Sequence, residues 1–157
     1  MPSFNNQPIF ASTPFYTASV FDPVIPTNNY SYGDLNSDGI TVVFDGATIF
    51  PSEGGVIKRV TVVAAADTSN IHVTEKLVYL YVGNNYRFFL HKTAHMPDTT
   101  VSNTIPPPSI EWTFGDGLQI NTNDFRLAIA SSVNYNTYSR YGDYLSVTVE
   151  GATYTSV

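Results

Sequence analysis

The sequence contains no cysteine. Disulfides, thiol nucleophiles and thiolate metal sites are therefore excluded, while the redox compartment stays open. Charge is scarce as well: 13% of the residues are charged, with 7 bases against 13 acids and a formal net charge of −6. Only Lys58 and Arg59 are adjacent bases, so no basic patch is available to follow a phosphate backbone, and nucleic acid is not an expected partner. No apolar run is long enough to span a bilayer, and no window sustains a 3.6-residue hydrophobic period. The opening MPSFNNQPIF lacks the basic and long apolar regions of a secretory leader, which reads as cytoplasmic synthesis. Also missing are G-x-S-x-G, H-E-x-x-H and a phosphate-binding glycine loop. Neither enzymatic activity nor a cofactor is expected.

What is abundant is strand-forming. Eleven Tyr and ten Phe accompany many Val and Thr, residues that fit a pleated, half-buried surface. The length of 157 residues suits one domain that buries roughly 70% of its unfolded surface. The central stretch runs from Val73 to His91. Leu77–Val82 is apolar on both faces, the pattern of a strand covered on both sides. Tyr86–His91 is mixed, and Gly83-Asn84-Asn85 between them suits a tight turn.

Further strands are expected at Ile40–Phe44, Ala47–Phe50, Val56–Ala64, Ile110–Phe114, Leu118–Ile120, Phe125–Ala130 and Tyr144–Val149. Asx- and Gly-rich turns separate them, and His95–Ser109 reads as a loop because of Pro97 and Pro106-Pro107-Pro108. Short strands at this spacing predict an all-β, single-domain antiparallel β-sandwich, jelly-roll-like in topology.

Residues 1–33 carry one charge, Asp22, and the prolines Pro2, Pro8, Pro14, Pro23 and Pro26. Proline at this spacing forbids helix and interrupts ladders. Two readings follow. One is an edge strand near Phe15–Phe21 preceded by a tail. The other is an extended N-terminal arm over residues 1–21 that docks on a neighbouring subunit, leaving residues 22–157 as the sandwich. The second reading makes Phe4, Ile9, Phe10, Phe15 and Tyr16 interface residues.

Among candidate sites, Asp34, Asn36, Asp38, Gly39 and Asp45 match positions of a calcium loop. The strand pattern of Ile40–Phe44 and the lack of an exit helix favour an Asx-rich turn instead. His72, His91 and His95 flank or occupy the central hairpin without a spacing that converges on one ion, so no metal is expected. Glu111 and Asp116 face each other across an expected short hairpin, with nothing else to make them a glycosidase pair. The stretch from Asn134 to Tyr144 interleaves four tyrosines with Asn, Ser and Arg, an amphipathic recognition surface. Tyr135, Tyr138, Arg140 and Tyr141 are its candidate contacts, with protein, with sugar, or as a cap on the sandwich.

Val56-Ile57-Lys58-Arg59-Val60-Thr61-Val62 and Lys76-Leu77-Val78-Tyr79-Leu80-Tyr81-Val82-Gly83-Asn84-Asn85-Tyr86-Arg87-Phe88-Phe89 carry a resemblance. With Gly117-Leu118-Gln119-Ile120 and Phe125-Arg126-Leu127-Ala128, this order resembles small all-β virion structural proteins of tailed bacteriophages. The resemblance spans the chain from Gly55 onward and implies a capsid auxiliary or decoration subunit. It implies a place on the outer capsid surface after assembly in the host cytoplasm. Its partners would be the major capsid protein and other virion subunits, in a large homo- or hetero-oligomeric assembly. The alternative is a fibre or tail module that binds a receptor or carbohydrate. Neither nucleic acid nor membrane is an expected partner in either case.

Overall fold

The computed structural model describes residues 10–21, 40–49, 54–64, 71–84, 87–120, 124–132 and 144–156. Ten strands and one helical turn appear among them. In chain order they are β1 (Phe10–Phe21), β2 (Thr41–Asp45), α1 (Gly46–Ile49), β3 (Gly55–Ala64), β4 (Ile71–Val73) and β5 (Lys76–Gly83). Then follow β6 (Phe88–Met96), β7 (Thr99–Val101), β8 (Ser109–Ile120), β9 (Arg126–Ser131) and β10 (Leu145–Ser156).

The strands pair as nested rungs of one long hairpin: β5 with β6, β4 with β7, β3 with β8, β2 with β9 and β1 with β10, all antiparallel. Two further pairings, β3 with β10 and β5 with β9, roll this hairpin up. The result is one sheet ordered β1-β10-β3-β8 facing another ordered β2-β9-β5-β6, with β4-β7 as a separate ribbon. Two four-stranded sheets rolled from nested antiparallel pairs are a jelly roll. The expected all-β sandwich is therefore present, and the central hairpin is its innermost rung.

Alternation along the strands explains the core. In β10, Leu145, Val147 and Val149 are buried, while Ser146, Thr148 and Glu150 face out. Val60, Val62, Ile110 and Trp112 join them from the first sheet; Phe44, Val78, Leu80, Leu127 and Ile129 meet them from the second. Each aliphatic side chain buried this way contributes about 1.5–3 kcal/mol. A second, smaller cluster lies on the other side of the second sheet, where Ile40, Tyr81, Phe88, Ala128 and Ala130 are buried with Tyr79 against them. The two-sided apolar pattern of β5 is thus used on both faces, except that Leu77 is exposed.

Several expectations need correction. Ala47–Phe50 is not a strand: Gly46–Ile49 forms the helical turn α1. Asp45 starts it, its Oδ1 accepting the Ala47 N–H at 3.0 Å, which satisfies an otherwise orphaned donor. Ile110–Phe114 and Leu118–Ile120 are one strand, β8, because Gly115-Asp116-Gly117 bulges without reversing the chain. Gly115 and Gly117 adopt φ of 57° and 102°, conformations that side chains bearing a Cβ rarely take. The expected loop 95–109 contains the end of β6 and all of β7. The β5–β6 connection closes through Asn84, whose N–H donates to the Arg87 carbonyl and whose side-chain oxygen accepts the Arg87 N–H; Asn85 and Tyr86 lie outside the described residues. Of the segment expected as an arm, Phe10–Phe21 is a full strand of the sandwich, registered against β10 from Phe10–Ser156 to Phe21–Leu145.

Each sheet edge is blunted. Pro14 removes a donor from β1, and the Phe114–Gly117 insertion breaks the line of β8. The β2 edge is five residues long with a register shift at Val42/Phe44. The β6 edge has a shift opposite Leu80/Tyr81, and Lys92 stands opposite the core residue Leu80, a charge on the inner side of the strand. These devices discourage edge-to-edge pairing.

Candidate functional site

The outer face of the first sheet concentrates exposed polar groups. Registration across β1, β10, β3 and β8 aligns Tyr16, Glu150, Arg59 and Thr113 in one row. The next row holds Ala18, Thr148, Thr61 and Glu111. Neighbouring strands in a sheet lie about 4.8 Å apart, so each row spans roughly 14 Å of nearly flat surface.

A bulge creates this face. Against β10, Lys58 is the extra residue of β3, since Glu150 pairs with Arg59 and Gly151 with Ile57. Against β8 the same step runs from Thr113 to Leu118, so there the extra residues, Phe114–Gly117, are on β8. Ile57 and Val60 can then both point into the core, leaving Lys58 and Arg59 together outside. The Arg59 guanidinium is ion-paired with Glu150 and lies 3.9 Å from Glu111. The hydrogen bond to Glu150, then its charge, raise the Arg59 pKa above the usual arginine value, with Glu111 adding in the same direction. Lys58 Nζ donates to the Asp116 carbonyl oxygen at 3.0 Å and ties the β8 bulge to β3. Tyr16 closes the row at the β1 edge with 63% of its surface exposed. This surface offers an aromatic ring, three threonine hydroxyls and a braced guanidinium–carboxylate pair.

The residues expected to form sites are dispersed. Phe4, Ile9, Tyr135, Tyr138, Arg140 and Tyr141 lie outside the described residues, as do Asp34, Asn36, Asp38 and Gly39. Phe10 is the first residue of β1. Phe15 points between the sheets, its ring centroid 5.4 Å from that of Phe44, so its ring belongs to the core cluster's border and not to a surface offered to a neighbour. Tyr16 alone of the expected interface residues has a described, exposed side chain. Asp45 is engaged by Arg126 at 3.3 Å as well as by the α1 turn.

The histidines do not converge. His72 meets Asp98 at 3.1 Å and His95 meets Glu75 at 2.7 Å, two exposed pairs that each tie the 71–76 segment to the 95–98 segment. His91 stacks on Phe114 at 5.8 Å across the open flank of the sandwich. Desolvation lowers its pKa, with Lys92 adding to the shift. Among the described residues no group of three or more His, Asp or Glu is placed to hold a metal. Glu111 and Asp116 share strand β8, so they do not face each other across a hairpin.

The sequence does carry a trace of the polar face. Ser146, Thr148 and Glu150 alternate with Leu145, Val147 and Val149, a period-two pattern with polar side chains on one side. What joins that strand to Arg59 and Glu111 is register, which alternation in one strand does not reveal.

No protein-family model matches the chain, and no curated protein matches it. One solved structure that it is similar to is a carbohydrate-binding module from glycoside hydrolase family 9 (Cel9A) of Ruminococcus flavefaciens FD-1. The two share 14% identity, the match covers 83% of this chain and 97% of that one, and the TM-score is 0.45. A likeness that loose carries no weight for the function of this chain.

Proposed function

We propose that the protein is a non-catalytic recognition module that binds a carbohydrate on the outer face of its first sheet. The observation that carries this reading is the braced row Tyr16–Glu150–Arg59–Thr113 with the hydroxyls of Thr61 and Thr148 beside it. A sugar presents an apolar ring face, which an exposed tyrosine can cover, and hydroxyls that both donate and accept. Carboxylates and threonines held by a rigid sheet meet those hydroxyls without much side-chain ordering on binding, which reduces the cost of association. The test is retention on a panel of immobilised polysaccharides. Tyr16→Ala and Thr148→Ala should each weaken retention while leaving the melting temperature nearly unchanged; full retention by both variants would remove this face from the reading.

A second reading keeps the protein as an auxiliary subunit on the outer surface of a bacteriophage capsid, partnered by the major capsid protein and other virion subunits. It is supported by the resemblance from Gly55 onward and by the exposure of Val42, Leu77 and Leu90 on the second sheet. With the four edges blunted, such contacts would use faces instead of strand pairing. Because Phe10–Phe21 is part of the sandwich, the assembly test is deletion of residues 1–9 only. Loss of capsid binding with an unchanged melting transition is the expected result; undiminished binding would count against an N-terminal anchor. The two readings meet in a fibre or tail module that binds a receptor glycan.

A further inference from the structure

The charges around Arg59 bear on which sugars the polar face accepts. Lys58 and Arg59 stand against Glu111, Glu150 and Asp116, two positive charges against three negative. The guanidinium that would recognise an acidic sugar is already held by Glu150 and approached by Glu111. The Lys58 ammonium donates to the bulge carbonyl of Asp116. An incoming carboxylate or sulfate would meet two carboxylates in the Thr61–Arg59 region and would have to displace one from Arg59 to gain a partner. A hydroxyl meets no such conflict, because it donates to a carboxylate oxygen and leaves the ion pair intact.

We infer, on the reading that this face binds carbohydrate, that it selects neutral glycans and rejects those carrying carboxylate or sulfate groups. Discrimination here comes from the repulsive element built into the site as much as from its attractive contacts. Glu150 and Glu111 are then specificity-determining residues. Removing their charge frees Arg59 to pair bidentately with an acid.

The experiment uses matched polysaccharides, each a neutral glucan or galactan and the same polymer oxidised at C6 to its uronate or sulfated, in affinity electrophoresis at fixed ionic strength. The wild-type protein should be retarded by at least one neutral polymer and about tenfold less by its acidic form. Glu150→Gln and Glu111→Gln, checked for an unchanged melting transition, should narrow or invert that ratio, and Tyr16→Ala should weaken retardation by both forms. Equal or stronger retardation by the acidic form in the wild type would overturn the neutral preference and leave carbohydrate binding standing. An unchanged ratio in both glutamine variants would also overturn the inference, because the charges would then not set it. Retardation by no polymer at all would remove the carbohydrate reading together with this inference.

Discussion

The outer faces of the two sheets have the same construction and opposite chemistry. Four strands contribute one residue each to a row on either face: Tyr16, Glu150, Arg59 and Thr113 on the first sheet, Val42, Ala128, Tyr81 and Leu90 on the second. On the first face the long side chains are exposed and polar, held by an ion pair. On the second, Ala128 and Tyr81 are buried to within 2%, with the small alanine leaving room for the large ring beside it. One face therefore contributes to stability through burial, and the other is free to carry recognition because little stability depends on it. A jelly roll needs only the surface between its sheets to hold together, so the two remaining surfaces can diverge.

The largest effect that would test this division comes from the second sheet. Tyr81→Ala removes a buried aromatic ring and should cost about 3–5 kcal/mol, measured by chemical denaturation. A loss below about 0.5 kcal/mol, the range of ordinary surface positions, would mean that the second face is no core at all.

Next comes the bulge that shapes the first face. A Cβ at Gly117 would lie 2.1 Å from Val56 Cγ2, and the backbone there has a φ of 102°. Gly117→Ala should thus destabilise by about 1–3 kcal/mol and also disturb the Lys58–Asp116 contact. An unchanged unfolding midpoint would show that the bulge relaxes without strain.

Smaller still are the changes expected on the polar row itself. Tyr16→Ala and Thr148→Ala should each shift stability by no more than about 0.5 kcal/mol, whatever they do to ligand binding. A Thr148→Ala loss comparable to that of Tyr81→Ala would erase the contrast between the faces.

The smallest effect concerns pH. The His91 pKa is lowered in the folded protein, first by desolvation and then by Lys92. Below the ordinary histidine value, about 6.5, the unfolded chain binds a proton that the folded protein does not yet accept. Stability is accordingly lost as pH falls through that value and levels off below the folded pKa. The melting temperature of His91→Gln should fall less than that of the wild type between pH 7.5 and pH 5. Parallel profiles would show that His91 does not contribute to this slope.

The fold was legible in the sequence where side-chain period did the work. Val56–Ala64, Phe125–Ala130 and Leu77–Val82 alternate or run apolar over strand lengths bounded by turn residues, and all three are strands. It was not legible where one residue decided between continuing and turning. Gly115 and Gly117 suit a hairpin turn and a bulge equally well, and only pairing with β3 on both sides of them selects the bulge. Asp45-Gly46 marks a break, but its use as a helix start rests on Asp45 reaching Ala47. The candidate site escaped for the same reason. Arg59 and Glu150 are 91 residues apart, and no local pattern announces that β3 and β10 lie side by side.

Nested pairing also sets the order in which this chain can fold. The innermost rung, β5 with β6, closes a short loop and is cheap in chain entropy, whereas the outermost joins Phe10 to Ser156. Non-local pairing of this kind puts all-β folds among the slow folders, on the millisecond-to-second scale. On a ribosome, β1 emerges before the other described strands, yet its hydrogen-bonded neighbour among them is β10, the strand furthest from it in sequence. β10 is also the strand that joins β1 to β3. The complete first sheet, and with it the Tyr16–Glu150–Arg59 row, is therefore assembled only once β10 has been made, so a chain truncated before β10 keeps the β3–β8 pair but lacks the ion pair and the tyrosine that define the polar face.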